Sequence, residues 1–144
     1  MIVLDTNVLS ELLRAAPEPR VKRWIESQPA GALFTTTITQ AEILLGVGML
    51  PEGRKRSALT DAVRAIFNED LAERVLPFDS DAALEFADIA ARRRAIGRPI
   101  SQLDAMIAAT ARSRGAALAT RNVRDFEHCG IDVHDPWSAP ASAR

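Results

Sequence analysis

The stretch MIVLDTNVLSELL at the N-terminus constrains this chain more than any other. Ile2, Val3 and Leu4 form a short apolar run with β-branched members, as a buried strand requires. Asp5-Thr6-Asn7 breaks the run with three residues that each favour helix N-termini, and Val8, Leu9, Leu12 and Leu13 follow at helical spacing. A strand that ends in a carboxylate and turns straight into a helix puts that carboxylate at the C-terminal edge of a sheet. Open α/β sheets bind ligands at that edge. Asp is also a favoured N-cap, so capping and ligand binding both stay open for Asp5.

The remaining pattern alternates helices with short apolar runs. Val21, Trp24 and Ile25 predict an amphipathic helix over Arg20 to Gln28, and Ala32 to Thr36 reads as a second strand. A helix is expected from Thr39 to Met49 and a longer one from about Arg54 to Ala72. Val75-Leu76-Pro77-Phe78 reads as an edge strand, because proline cannot donate to a sheet ladder. Asp79 to Ile96 is a helix expected to pack Leu84, Phe86, Ala87, Ile89 and Ala90 inward. Ser101 to Arg114 is a strongly periodic helix closed by Gly115. A strand over Ala116 to Thr120, a short helix over Asn122 to His128 and a last strand over Ile131 to Val133 complete the pattern. Strands separated by helices predict an α/β fold, with a central, mainly parallel sheet and helices on both faces. One domain is expected over 1–137, with a small, polar, flexible tail over 138–144.

Composition narrows the class. At 144 residues, 47% hydrophobic and 26% charged, the chain suits one globular domain with a real core. The single cysteine, Cys129, excludes an internal disulfide. No apolar run approaches the ~18 residues of a membrane span, and no basic leader precedes the Asp5 motif, so a cytoplasmic protein away from membranes is expected. Net charge is −1, yet most of the 18 basic residues fall in four clusters: Arg14 to Arg23, Arg54 to Arg56, Arg92 to Arg98 and Arg112 to Arg124. A locally positive surface is therefore compatible with overall neutrality; solvated helix faces account for any one cluster equally well.

Two further acids stand at element ends. Thr39-Gln40-Ala41-Glu42 and Ser101-Gln102-Leu103-Asp104 each match the capping box, which would place Glu42 and Asp104 in first helical turns. Asp104 nevertheless shares a helical stripe with Ile107, Ala108 and Ala111, and Glu42 is flanked by Ala41, Ile43, Leu44 and Leu45. Three half-buried carboxylates need an offsetting positive charge, and no Lys or Arg is adjacent in sequence to any of them. A divalent cation is the natural partner. Asn122 and Asp125, after the Ala116 to Thr120 strand, are positioned to reach the same sheet edge, because parallel strands end on one side. Capping of the short helix is the rival explanation for both.

The segments DTNVLSELL, TQAEILLG, SQLDAMIAATA, LATRNVRDF and DPW occur in order and in register. With them the chain resembles PIN-domain ribonucleases of the VapC type, closest to FitB-like members of toxin–antitoxin systems, over about residues 1–137. The resemblance implies a three-layer α/β/α fold with catalytic positions at Asp5, Glu42, Asp104 and Asn122. Asp5 and Asp104 would be direct metal ligands, and Glu42 would hold a metal-bound water or orient the nucleophile. Thr6, Asn7 and Thr120 would support them, with Asp125 a weaker candidate. Asn122 stands where the family often has a fourth acid, which puts a tightly held second metal ion in question.

Oxygen-only ligands suit Mg²⁺ or Mn²⁺. His128, Cys129 and His134 make no zinc pattern. The resemblance implies hydrolysis of single-stranded RNA, a homodimer, and a cognate antitoxin that covers the acids and brings DNA binding to a larger assembly. A PIN-like dimer that binds RNA or protein without turnover is the alternative, carried by Asn122. A haloacid-dehalogenase-type phosphatase is disfavoured because Asn7 replaces the second aspartate of its DxDx[TV] motif.

Overall fold

The computed structural model describes residues 1–138. The predicted tail therefore lies outside the described residues, apart from Ser138, which sits in a short 3₁₀ turn, Pro136–Ser138. Strands β1 (Ile2–Leu4), β2 (Leu33–Thr36), β3 (Val75–Leu76), β4 (Ala117–Ala119) and β5 (Val133–His134) form one sheet in the order β3-β2-β1-β4-β5. Every pairing is parallel. The Pro77-bearing segment is an edge strand, as expected, and β1 is central. The last strand begins two residues later than Ile131.

Helices α1 (Thr6–Leu12), α2 (Pro19–Glu26), α3 (Thr37–Gly48), α4 (Arg54–Ala65), α5 (Ser80–Ala95) and α6 (Gln102–Ser113) cover the sheet. Side chains alternate across each strand, so neighbouring residues feed different cores. Val3 and Leu118 pack with Ile89, Ile107 and the alanines of α6 on one face. Leu4 and Ala119 pack with Val8, Leu9, Val21, Ile43 and Val63 on the other. Sheet and two helical layers make the α/β/α sandwich of the sequence reading. No helix of the described residues is long and apolar enough to cross a membrane.

Four local expectations are corrected. Helix α3 starts at Thr37, with Thr36 as its N-cap accepting the Thr39 amide, so Glu42 lies in the second turn and the Thr39–Glu42 capping box does not form. The long helix after Gly53 ends at Ala65 and continues as a π turn, Ile66–Asp70. Residues Asn122 to His128 contain only a 3₁₀ turn, Val123–Phe126, which Asn122 does not cap through its side chain. Leu84 is 74% exposed and Ala87 is exposed too, because α5 turns its Ile89 side toward the core.

The basic clusters also divide. Arg93 is buried, and its guanidinium donates to the carbonyls of Arg98 (2.6 Å), Asp125 (2.8 Å) and Glu127 (3.0 Å). Arg92, Arg98, Arg112 and Arg114 are ion-paired with Asp88, Glu127, Glu85 and Asp79. Most of the third cluster and the Arg112–Arg114 half of the fourth are therefore engaged within the fold, whereas Arg121 and Arg124 are exposed.

Candidate active site

The chain turns from β1 to β2 on one side of the sheet, and β4 pairs with β1 on the other. The order reverses between β1 and β4, which opens a crevice at their C-terminal ends. Asp5 follows β1 into that crevice and Thr120 follows β4. Asp5 is 4% exposed and is both cap and pocket residue. One carboxylate oxygen accepts the Thr6 amide at 2.8 Å and the other accepts the Thr120 hydroxyl at 2.7 Å. The Asn7 amide donates to Thr120 Oγ1 at 3.2 Å and reaches Asp5 Oδ2 at 3.4 Å. The Thr120 hydroxyl also accepts the Asn122 backbone N–H at 3.1 Å. The predicted supporting residues thus form one network that ties the β1–α1 turn to the β4 loop.

Glu42 arrives from α3, where the Thr6 hydroxyl donates to its Oε1 at 2.7 Å and lies 3.0 Å from the Thr39 hydroxyl. Thr39 therefore serves the site rather than a helix cap. Asp104 comes from the first turn of α6, where its amide donates to Ser101 Oγ at 3.2 Å; its carboxylate is half-buried. Asp5, Glu42, Asp104 and Asn122 all line one polar cavity of about 580 Å³. Asp125 is exposed and lies outside that lining.

Burial dominates the electrostatics. It pushes the Asp5 carboxyl up to about 6, against the hydrogen bonds from Thr120 and Thr6 and with help from the charges of Asp104 and Glu42. Asp104 is also raised, first by desolvation and then by Asp125 and Glu42, while Ser101 and Arg93 oppose the rise. Among the described residues no three His, Cys, Asp or Glu side chains sit close enough to enclose an ion unaided. The donors are hard oxygens around open space, which fits a cation that keeps several waters, such as Mg²⁺. Cys129 is buried against Arg93, and burial raises its thiol, so it behaves as a core residue.

The cavity holds residues that the sequence reading passed over. Glu11 is 7% exposed and accepts the Glu18 amide at 2.9 Å and the Arg14 guanidinium at 3.1 Å. The Glu18 bond, then Arg14 and Arg121, hold its carboxyl below the usual range. Asn7 and Glu11 share one face of α1 at i and i+4, and Arg14 follows just past the helix end. Trp137 reaches the cavity from the far end of the chain; the sequence singles it out only within the DPW segment, with no role attached.

A model of the PIN domain matches residues 2–131. The chain is 42% identical over 137 residues to the VapC ribonuclease Y4jK of Sinorhizobium fredii, covering 95% of this chain and 98% of that protein. It is 37% identical to Toxin FitB of Neisseria gonorrhoeae, covering 95% and 99% of the two chains. The crystal structure of FitAcB from Neisseria gonorrhoeae superposes with a TM-score of 0.90 at 37% identity, covering 96% of this chain and 100% of that one. Sequence, fold and an acid-lined crevice at the switch point agree along almost the whole length: the chain belongs to the PIN domain family, among the relatives of VapC and FitB.

Proposed function

We propose that this protein is a Mg²⁺- or Mn²⁺-dependent endoribonuclease that hydrolyses single-stranded RNA in the cytoplasm as the toxin of a toxin–antitoxin pair. The observation that carries the proposal is the buried Asp5 carboxyl, raised to about 6 in a cavity it shares with Glu42 and Asp104. Burial and the neighbouring acids make each anion in such a site costly, and a bound cation offsets that cost. Relatives named as ribonucleases supply the reaction class.

Asp5 and Asp104 are the residues that would hold the ion. When bound, the ion supplies a more acidic water and charge neutralisation on the phosphate. Glu42, fixed by the Thr6 hydroxyl, is placed to orient the attacking water, and Thr120 and Asn7 keep Asp5 in one rotamer. Asn122 lines the cavity without charge, so one tightly held ion is expected rather than two. A cognate antitoxin is the expected regulator. An apolar cavity of about 550 Å³ adjoins the acids, shares Thr6, Ser10 and Glu42 with them, and offers Leu13, Ile43, Val47 and Leu59 to a partner. Neighbouring structures include a FitAB complex bound to DNA, which supports DNA binding by the assembly through its antitoxin. Exposed Leu44 and Leu45 on α3, with Met49 at its C-cap, support a homodimer.

Incubating the protein with mixed single- and double-stranded RNA in Mg²⁺, Mn²⁺ or EDTA tests the reading. Cutting of single strands with either cation and none in EDTA is expected. Cutting in EDTA overturns the metal requirement, and RNA binding without cutting in any condition supports the non-catalytic binding module instead.

A further inference from the structure

The floor of the crevice is acidic, and a polyanion approaching it meets repulsion unless cations stand at the mouth. Two arginines line that cavity, Arg14 and Arg121. Arg14 is engaged with Glu11. Arg121 is exposed, and none of the ion pairs among the described residues involves it. Its position is nonetheless well determined. Its backbone N–H donates to Asn7 Oδ1 at 3.2 Å, and Asn7 in turn contacts Asp5 and Thr120. Its guanidinium carbon lies 5.0 Å from the centroid of the Trp137 ring.

Trp137 is itself anchored. Its amide donates to Asp135 Oδ1 at 2.9 Å and its carbonyl accepts Arg20 Nη1 at 3.4 Å. Its ring packs against the apolar cluster under α1 and α2. One side of the indole is thus committed to the protein and another carries the guanidinium.

We propose that Arg121, seated on Trp137, is the phosphate clamp that holds the RNA strand beside the acidic cavity, with Trp137 as its positioning residue. The proposal rests on the ribonuclease reading above and names a substrate-binding residue for it. Stacking on an aromatic face orders a flexible guanidinium while leaving its N–H edge free, and a planar fork of donors matches a phosphate. A simpler role would be to offset the charge of buried Glu11. That role is already filled by the Glu18 amide and Arg14, and Arg121 is the smallest of the influences on the Glu11 carboxyl. Of the other basic residues of the third and fourth clusters, Arg93 is buried, Arg112 and Arg114 are held by acids on α5 and at its N-cap, and exposed Arg124 does not line the cavity.

The test is equilibrium binding of a short fluorescent single-stranded RNA in EDTA across a salt series, beside cleavage in Mn²⁺, for wild type, Arg121→Gln, Arg121→Lys, Trp137→Leu and Trp137→Phe. Arg121→Gln is expected to weaken binding about fivefold near ~0.1 M salt and to reduce the slope of log K against log salt by about 0.7, for every RNA sequence tried. Arg121→Lys should recover the slope but not the full affinity, because the charge returns without the stacked plane. Trp137→Leu should weaken binding with the slope retained, and Trp137→Phe should restore it. Wild-type affinity and slope in Arg121→Gln overturn the clamp while leaving the ribonuclease reading intact, provided wild type cuts RNA. A wild-type protein that neither binds nor cuts RNA overturns both. Arg121 is exposed, so its variants stay informative even where Trp137→Leu disturbs folding.

Discussion

Asp5 combines two demands that usually fall on different residues. As an N-cap it must accept the Thr6 amide, and as the first acid of the crevice it must keep a charge that burial disfavours. The consequence for stability has a definite sign. The carboxyl sits at about 6 in the folded protein against an ordinary 3.8, so folding favours its protonated form. That contribution is fully present below the unfolded value and is lost as pH rises through the folded one. Metal-free protein should therefore lose on the order of 2–3 kcal/mol from this group between about pH 4 and pH 7. Asp5→Asn removes the titration. In EDTA its melting temperature should exceed that of wild type near ~pH 8, and the gap should close toward ~pH 4. Melting curves that run parallel across the range would show that the buried charge is not what burdens the fold. Saturating Mn²⁺, at ~100 times its Kd, should stabilise wild type by about 2.7 kcal/mol and leave Asp5→Asn unchanged.

Arg93 is the second residue whose chemistry could not be read locally. Within Arg92-Arg93-Arg94 nothing marks the middle side chain as buried; only the fold brings three backbone carbonyls and the Cys129 sulfur around it. Truncation leaves those carbonyls dry and unpaired. Arg93→Leu should cost about 2–4 kcal/mol in a denaturant melt, whereas exposed Arg94→Leu should fall within ~0.5 kcal/mol of wild type.

At the scale of elements, α3 shows how a correct residue can be reached through an incorrect cap. Thr36, Thr37 and Thr39 all have side chains that can cap, and local preference does not rank them. The structure chooses Thr36, at the end of β2, which starts the helix early and moves Glu42 to the second turn. Glu42 is then free of backbone capping and accepts the Thr6 hydroxyl across the gap between helices. Thr36→Ala should therefore cost about 0.5–2 kcal/mol, while Glu42→Gln should melt close to wild type yet lose RNA cutting. Loss of stability in Glu42→Gln with full activity would return that residue to a structural role. Helix α6 was more legible. Its 3.6-residue stripe through Asp104, Ile107, Ala108 and Ala111 survives in the structure, where the last three are fully buried and the acid is half-buried. On α5 the same periodicity misled at Leu84, which is 74% exposed while Ala82, Ile89 and Arg93 form the buried edge.

At the scale of the whole molecule, topology converts three separated acids into one site. Asp5 leaves the central strand, Thr120 leaves its neighbour, and the reversal of strand order between them opens the crevice that α3 and α6 then line. This much was visible in sequence, because strand, acid and helix follow each other within a few residues and parallel strands share a functional edge. Arg121 and Trp137 were not. Their meeting joins the β4 loop to the last described turn, and contacts of that range follow only from the sheet order. Asp125, by contrast, was placed in reach of the edge by sequence but stands outside the cavity, acting on Asp104 through charge alone.

The central claim is that the Asp5 cavity performs metal-dependent RNA hydrolysis. The most direct measurement is single-turnover cleavage of a mixed single-stranded RNA pool in Mn²⁺ by wild type and by Asp5→Asn, each shown by melting to be folded. Cutting by wild type that falls by at least about a hundredfold in the folded variant is the predicted result. Equal cutting by a folded Asp5→Asn protein would contradict it.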